Sequence, residues 1–214
     1  MENNLSIKEG LTNGEYYNED YFEHGPYDIN YGTLLDRFPQ ELIEIVSAVF
    51  DIKDKSILDV GCAKGQYVRA MTKHSNKVKG FDFSEYCMNH IETDKNRIKK
   101  MNALNKWKYK SDQFEFIYCA DVLEHIPPEK ISFVLSEMNR VCKVGAEAYI
   151  NIGLGDFEEH LNNYLMGEWH KFFNDAGFDI DFEKTKQLYD EKHKHELFTA
   201  CVWCMLAIKK RSNI

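Results

Sequence analysis

SILDVGCAKGQYVRAM, residues 56–71, reads as a short hydrophobic strand closed by an acid, then a tight turn of small residues, then the opening of a helix. Gly61, Ala63 and Gly65 let backbone amides approach a bound ligand, and glycine adopts angles that a side chain forbids. A dinucleotide-binding turn would read GxGxxG. Counted from Gly61 the later positions are Ala63 and Gln66, so the third glycine is missing, which weighs against a dehydrogenase.

Outward from this turn, strand-like runs recur at Val78 to Phe83, around Arg97 to Met101, and at Phe114 to Cys119, Ala146 to Ile152, Phe178 to Phe182 and Phe198 to Ile208. Helical spacing marks Gln40 to Phe50, Glu85 to Glu92, Pro128 to Cys142 and Glu158 to Ala176, the last closed by Gly177. Strands that alternate with helices and are almost wholly apolar predict a parallel sheet covered on both faces, with ligands at the carboxyl ends of the strands. No repeat, low-complexity tract or Pro/Gly/Ser-rich linker interrupts the 214 residues, which suit one α/β domain with a cap.

The formal charge of −8 and pI near 5.5 argue against a nucleic-acid partner. Lys99, Lys100, Lys106, Lys108 and Lys110, around a connector that also carries Asp112, read as a solvated face. The polar start, Met1 to Gly10, lacks a secretion pattern, and the longest apolar stretch, Ala200 to Ile208, is too short for a bilayer span, so a soluble, cytoplasmic protein is expected, with no membrane partner. The six cysteines do not form a disulfide framework; Cys201 and Cys204, three apart in a strand-like run, would face opposite ways and are not read as a zinc or redox pair.

Asp82 ends the second strand, where a carboxylate accepts hydrogen bonds from both hydroxyls of a ribose, so the residues point to a nucleoside-containing ligand. Taken in order, DVGCAKG, GFDFSEYC (80–87), FEFIYCADVLEHIPP (114–128) and EMNRVCKVGAEAYINI (137–152) resemble the motif series of class I S-adenosylmethionine (SAM)-dependent methyltransferases over roughly residues 40 to 208. The resemblance implies a Rossmann-like α/β fold: a seven-stranded, mostly parallel sheet with an antiparallel last strand, helices on both faces and an N-terminal aromatic cap. Residues 1–36 would form that cap and 37–214 the SAM-dependent domain. By the same resemblance Asp59, Gly61, Cys62, Ala63 and Gly65 would hold the methionine part, Asp82 the ribose, and Phe83, Asn102 and Ala103 the adenine. Asn102 stands where an acid is usual. Cys119 and Ala120 would lie beside the sulfonium.

In ADVLEHIPP, Asp121, Glu124 and His125 fall on one face of a helical turn, and with His160 they resemble the ExxEH-plus-His metal site of methyltransferases acting on vicinal diols or catechols, with Asp121 in place of the first Glu. A divalent cation, Mg or Mn, is the expected ion there; the bland reading makes Glu124 a cap or solvated group and His125 part of the pocket wall. The segment DFEEHLNNYLMGEWHKFFNDAGF is similar to a D-x-x-H-x-N … W … F … AGF stretch of methyltransferases in sugar and surface-polysaccharide pathways, with Asp156 or Glu158 as its acid. His160, then His125, are the expected bases for an alcohol acceptor, since histidine titrates near neutrality. The leader aromatics Tyr16, Tyr17, Tyr21, Phe22, Tyr27 and Tyr31 pack either as a lid over the ligand or as a seal on a sheet edge, and Lys184 to Glu196 is an exposed helix or loop without chemistry. The leading expectation is O-methylation of a small polar acceptor, such as a sugar nucleotide or surface-polysaccharide precursor, by a monomer or homodimer. N-methylation of an amino sugar or small amine, and SAM binding without turnover, are the rivals.

Overall fold

Strand β1, Ile57–Val60, lies at the centre of a sheet whose order is β3-β2-β1-β4-β5-β7-β6. The structure is a computed structural model and describes residues 9–24, 37–155, 157–195 and 203–212. The other strands are β2 (Val78–Asp82), β3 (Ile98–Lys100), β4 (Phe114–Ala120), β5 (Cys142–Gly153), β6 (Phe178–Ile180) and β7 (Trp203–Lys210). Only β7 runs antiparallel, to both β5 and β6, while β1 pairs in parallel with β2 and β4. The chain leaves β1 toward β2 on one side and reaches β4 on the other, so a crevice opens at the carboxyl ends of β1 and β4. This is the Rossmann-like architecture that the sequence implies, with one antiparallel last strand.

Both faces of the sheet are covered, which explains the unbroken apolar strands. Leu58 and Val60 point into one core with Phe81, Ile117 and Ile150, covered by α5 (Ile131–Val141) and α6 (Met166–Asp175). Ile57, Phe116, Tyr118 and Tyr149 point the other way, beneath α2 (Phe38–Val49), α3 (Gln66–Met71) and α7 (Phe182–Lys192). Helix α2 presents Pro39, Leu42, Ile43 and Val46 to that core at helical spacing and ends where Phe50 turns extended. Two short helices, α1 (Glu19–His24) and α4 (Glu85–Asn89), sit at the carboxyl edge.

Four expected elements differ in the structure. The helix expected over 158–176 begins only at Met166, because 157–165 is drawn across to bond the turn after β4. The helix expected over 128–142 is a 3-10 turn at Pro128–Lys130 followed by α5, and β5 starts four residues earlier than expected, at Cys142. The charged run from Lys184 belongs to α7, whose Leu188 and Lys192 are buried and whose Thr185 Oγ1 and Tyr189 hydroxyl accept the N–H groups of Ala207 and Met205. A charge-rich helix is thus sealing the edge of β7 beyond the short β6. Cys204 is buried in β7; Cys201, Tyr27, Tyr31 and Asp156 lie outside the described residues. Among the described residues no helix is long and apolar enough to cross a membrane.

Candidate functional site

At the carboxyl ends of β1, β2, β4 and β5 lies a cavity of about 720 Å³. Its floor is the turn after β1. Gly61 (φ 71°), Ala63 (φ 46°) and Gly65 (φ 90°) are all left-handed, which winds the chain tightly before α3. The N–H groups of Gly61 and Cys62 both donate to Phe81 O at 3.0 Å, and Gly65 N donates to Cys62 O at 2.8 Å. A Cβ on Gly61 would lie 2.5 Å from Val122 Cγ2, so only glycine lets this turn meet the turn after β4. Gly65 does not line the cavity; a Cβ there would meet Thr93 Cγ2 at 2.8 Å, and its role is to start α3.

Two carboxylates face this turn. Asp82 accepts from Ala63 N (2.9 Å) and Ser84 N (2.8 Å); burial raises its pKa, and those backbone bonds partly oppose the rise. Asp59 is 2 % exposed, its Oδ2 has no partner, and burial followed by the charge of Asp82 pushes it well above the usual carboxylate range. A buried acceptor without a donor is costly, so this corner is built for a ligand that brings one. Phe83, Asn102 and Ala103 line the adjoining wall. Asn102 spends its amide on Thr12 O (2.9 Å) and accepts from Leu104 N (2.8 Å), so its hydrogen bonds hold the N-terminal segment and its own loop.

That segment closes the cavity from above. Ser84 Oγ donates to Tyr17 O (2.6 Å), Glu23 is ion-paired with the buried Lys64 and accepts from Tyr86 OH (2.9 Å), and the Tyr17 ring packs 5.4 Å from Phe83 and 6.0 Å from His125. Tyr17, Tyr21 and Phe22 all line the cavity.

The far wall carries the second set of expected residues. Ala120 and Asp121 line the cavity, whereas Cys119, one residue earlier, points into the core of Val60 and Ile150 and does not reach it. Asp121 is left-handed (φ 55°) and accepts from Asn151 Nδ2 at 2.8 Å; burial raises it to about 6 despite that bond. Glu124, 1 % exposed, accepts from Gly153 N at 2.6 Å with Oε1 and leaves Oε2 without a partner; burial and then Asp121 push it well up. His125 Nδ1 lies 2.9 Å from Glu159 O, and His160 Nδ1 lies 2.9 Å from Gly155 O. A carbonyl only accepts, so each ring carries a proton on Nδ1, and in its neutral form the lone pair is on Nε2. Burial, only partly offset by the Glu159 bond, lowers His125 to about 4, so it is neutral at physiological pH.

Glu124, His125 and His160 each offer a ligand atom within 4.8 Å of the others, the rings standing 5.2 Å apart and nearly perpendicular. Asp121 is outside this group, because the 3-10 turn at Leu123–His125 has a tighter pitch than the helical turn expected. Gly153 and Asn151 are participants that sequence reasoning missed. A Cβ on Gly153 would lie 2.6 Å from Glu124 Oε1 and 3.1 Å from His160 Cε1. The only sequence signal was a small residue directly after the strand expected over 146–152.

The sequence profile of a family described as "Methyltransferase domain" matches residues 31–183. The ubiquinone biosynthesis O-methyltransferase of Coxiella burnetii is 27 % identical, with 59 % of this chain and 66 % of that protein covered, so the chain spans a little under two thirds of that relative's length. The crystal structure of the PH0226 protein from Pyrococcus horikoshii OT3 superposes with a TM-score of 0.68 at 15 % identity, covering 91 % of this chain and 99 % of that one. An S-adenosylmethionine dependent methyltransferase from Mesorhizobium loti superposes with a TM-score of 0.58 at 13 % identity, covering 80 % and 98 %. At such identities the structural likeness concerns the fold.

Proposed function

Because this chain belongs to the methyltransferase-domain family, whose methyl donor is S-adenosylmethionine, we propose that it methylates a hydroxyl of a small acceptor held between the β1 turn and the His125–His160 wall. Bound S-adenosylmethionine supplies an electrophilic methyl on a sulfonium. Asp59 Oδ2, buried and without a donor, fits the cationic amino-acid end of such a ligand; Gly61, Cys62 and Ala63 would form its cradle, Asp82 would hold the ribose, and Phe83, Asn102 and Ala103 would border the base. Gly65 and Cys119 act from behind the cavity wall, and Ala120 is the small residue that leaves room for the reacting centre.

The observation that carries the reading is the pair of imidazoles whose Nε2 lone pairs are fixed by Nδ1 bonds to backbone carbonyls, beside a buried carboxylate. In-line displacement needs the acceptor oxygen positioned and its proton removed. His160 Nε2 takes that proton; His125, expected as the second base on the strength of a near-neutral histidine, is lowered to about 4 and is the weaker acceptor. As an alternative to base catalysis, the same three ligand atoms, of Glu124, His125 and His160, suit a divalent cation, which would occupy the imidazole lone pairs and itself lower the pKa of an acceptor hydroxyl; two imidazoles with one carboxylate favour manganese over magnesium. Of the cap expected over 1–36, residues 9–24 are described, and their bonds to Ser84 and Asn102 would hold it over the cavity to exclude water.

The acceptor's class follows from the walls. Tyr17, Tyr21, Phe38, Tyr67, Leu154 and Phe157 surround its space, and no Lys or Arg is among the described lining residues. A sugar nucleotide would bring a diphosphate without a cation to meet it, so an aromatic hydroxyl compound fits this cavity better. The C. burnetii relative is named for methylation on oxygen, which agrees with that choice of atom.

The test is S-adenosylhomocysteine formation with catechol, a sugar nucleotide and an amino sugar as acceptors, alongside calorimetric titration of the cofactor into wild type and Asp82→Ala. Turnover with catechol, and cofactor binding lost in the variant, are expected. Turnover only with the sugar nucleotide restores the sugar reading, turnover only with the amine makes this an N-methyltransferase, and cofactor binding without turnover on any of them favours a binding protein. No cofactor binding in the wild type refutes the whole assignment.

A further inference from the structure

Between β5 and α6 the described chain crosses the catalytic edge of the sheet without regular structure, and one side chain there is bonded to three backbone carbonyls of a distant turn. Asn162, 7 % exposed, sends Nδ2 to Leu123 O (2.8 Å), Ile126 O (2.9 Å) and Glu124 O (3.3 Å). The backbone follows, with Leu161 N and Asn162 N donating to Glu124 O at 2.9 and 3.2 Å. A flipped amide would set Oδ1 against three carbonyl oxygens, so the donor orientation is the one the surroundings require. The bonded carbonyls flank His125 on both sides, and the His125 ring itself reaches back to Glu159 O, three residues before Asn162.

We infer that Asn162 is a positioning residue: it ties the Leu123–Ile126 turn to the 157–162 segment, so that the Nε2 atoms of His125 and His160 converge beside Glu124. The inference deepens the proposed function and rests on the assignment of those histidines. Together with the bond from His125 Nδ1 to Glu159 O, these bonds fix the turn and the 157–162 segment against each other, and a rotation of either by about an ångström would separate the three ligand atoms. Losses of about 10–100-fold are typical when a residue that orients reacting groups is removed. His160 is held locally, by Gly155 O, whereas His125 is held only across the two segments. Loss of the clamp therefore has an asymmetric signature.

The experiment is ¹⁵N spectroscopy of the histidine rings in wild type and Asn162→Ala, with His125→Gln and His160→Gln for assignment, and S-adenosylhomocysteine titration as the check on folding. In the wild type both rings are expected as the Nδ1–H tautomer. In the alanine variant His125 becomes a mixture of tautomers, His160 stays as it was, cofactor affinity is unchanged, and turnover with catechol falls about 10–100-fold in kcat. Should the alanine variant fail to bind cofactor, Asn162→Ser, which keeps one donor, carries the same comparison. An unchanged His125 in a cofactor-binding variant, or equal changes in His125 and His160, overturns the inference. So does fast hydrogen exchange at the Leu161 and Asn162 amides of the unsubstituted protein. A wild type without methyl transfer whose His125 still responds to the substitution refutes the catalytic reading and leaves the clamp standing.

Discussion

Gly61→Ala tests whether the contact between the β1 and β4 turns is what shapes the cavity. Two costs add. Alanine at φ 71° takes a left-handed conformation worth about 1–2 kcal/mol. Its Cβ would also lie 2.5 Å from Val122 Cγ2, and Val122 is β-branched and stiff at χ1, so relief requires a backbone shift; overpacking of this kind costs about 1–3 kcal/mol. The expected loss is therefore about 2–5 kcal/mol, read as a lower urea midpoint at unchanged slope. Because Val122 leads directly into Glu124 and His125, turnover should fall further than cofactor affinity. Removing both γ carbons with Val122→Ala in the same chain abolishes the overlap and leaves the φ strain, so the double variant should recover about 1–3 kcal/mol relative to Gly61→Ala after correction for Val122→Ala alone. A Gly61→Ala protein within about 0.5 kcal/mol of wild type, or a double variant with no recovery, would mean that the Gly61–Val122 contact does not shape the cavity.

Asp59→Asn should raise the stability of the ligand-free protein at neutral pH. The folded pKa of Asp59 lies above its usual 3.8, so its unfavourable contribution is absent below that pH and grows as pH rises toward the folded value; the variant's advantage in urea midpoint should vanish near pH 3.8, while its cofactor affinity drops. His160→Gln should reduce kcat by about 10²–10⁴-fold with cofactor affinity retained, and full turnover would end its role as base. Exhaustive dialysis against EDTA should lower the rate if Glu124, His125 and His160 hold an ion, with manganese restoring it better than magnesium; an unchanged rate with blank metal analysis removes the cation. Glu115, lowered to about 2 by its bonds from the Ser56 N–H and hydroxyl and by Lys143, should stabilise the protein above pH 4.5 and lose that contribution as pH falls toward 2, so Glu115→Gln should flatten the acid limb of the stability profile.

Much of the fold was legible in local pattern. Strands such as Ile57–Val60 and Phe114–Ala120 are apolar on both faces because both faces are buried, and the glycine turn after β1 announces itself through residues adjacent in the chain. That same apolarity concealed direction: Cys119 and Ala120 looked equivalent, and only the pleat of β4 sends one into the core and the other to the cavity. Helical spacing over 158–176 failed for its first half because Asn162 gains more from three carbonyls of a distant turn than it would from a helix. Local pattern thus sufficed for the sheet, the glycine turn with Asp59 and Asp82, and the presence of Glu124, His125 and His160. Tertiary structure alone decided that those last three converge without Asp121, that Gly153 makes room for them and that Asn162 holds the turn in place. Contacts such as Gly153 to Glu124, 29 positions apart, and Asn162 to Leu123, 39 apart, depend on how the β4 and β5 edges meet, and no local periodicity encodes that meeting.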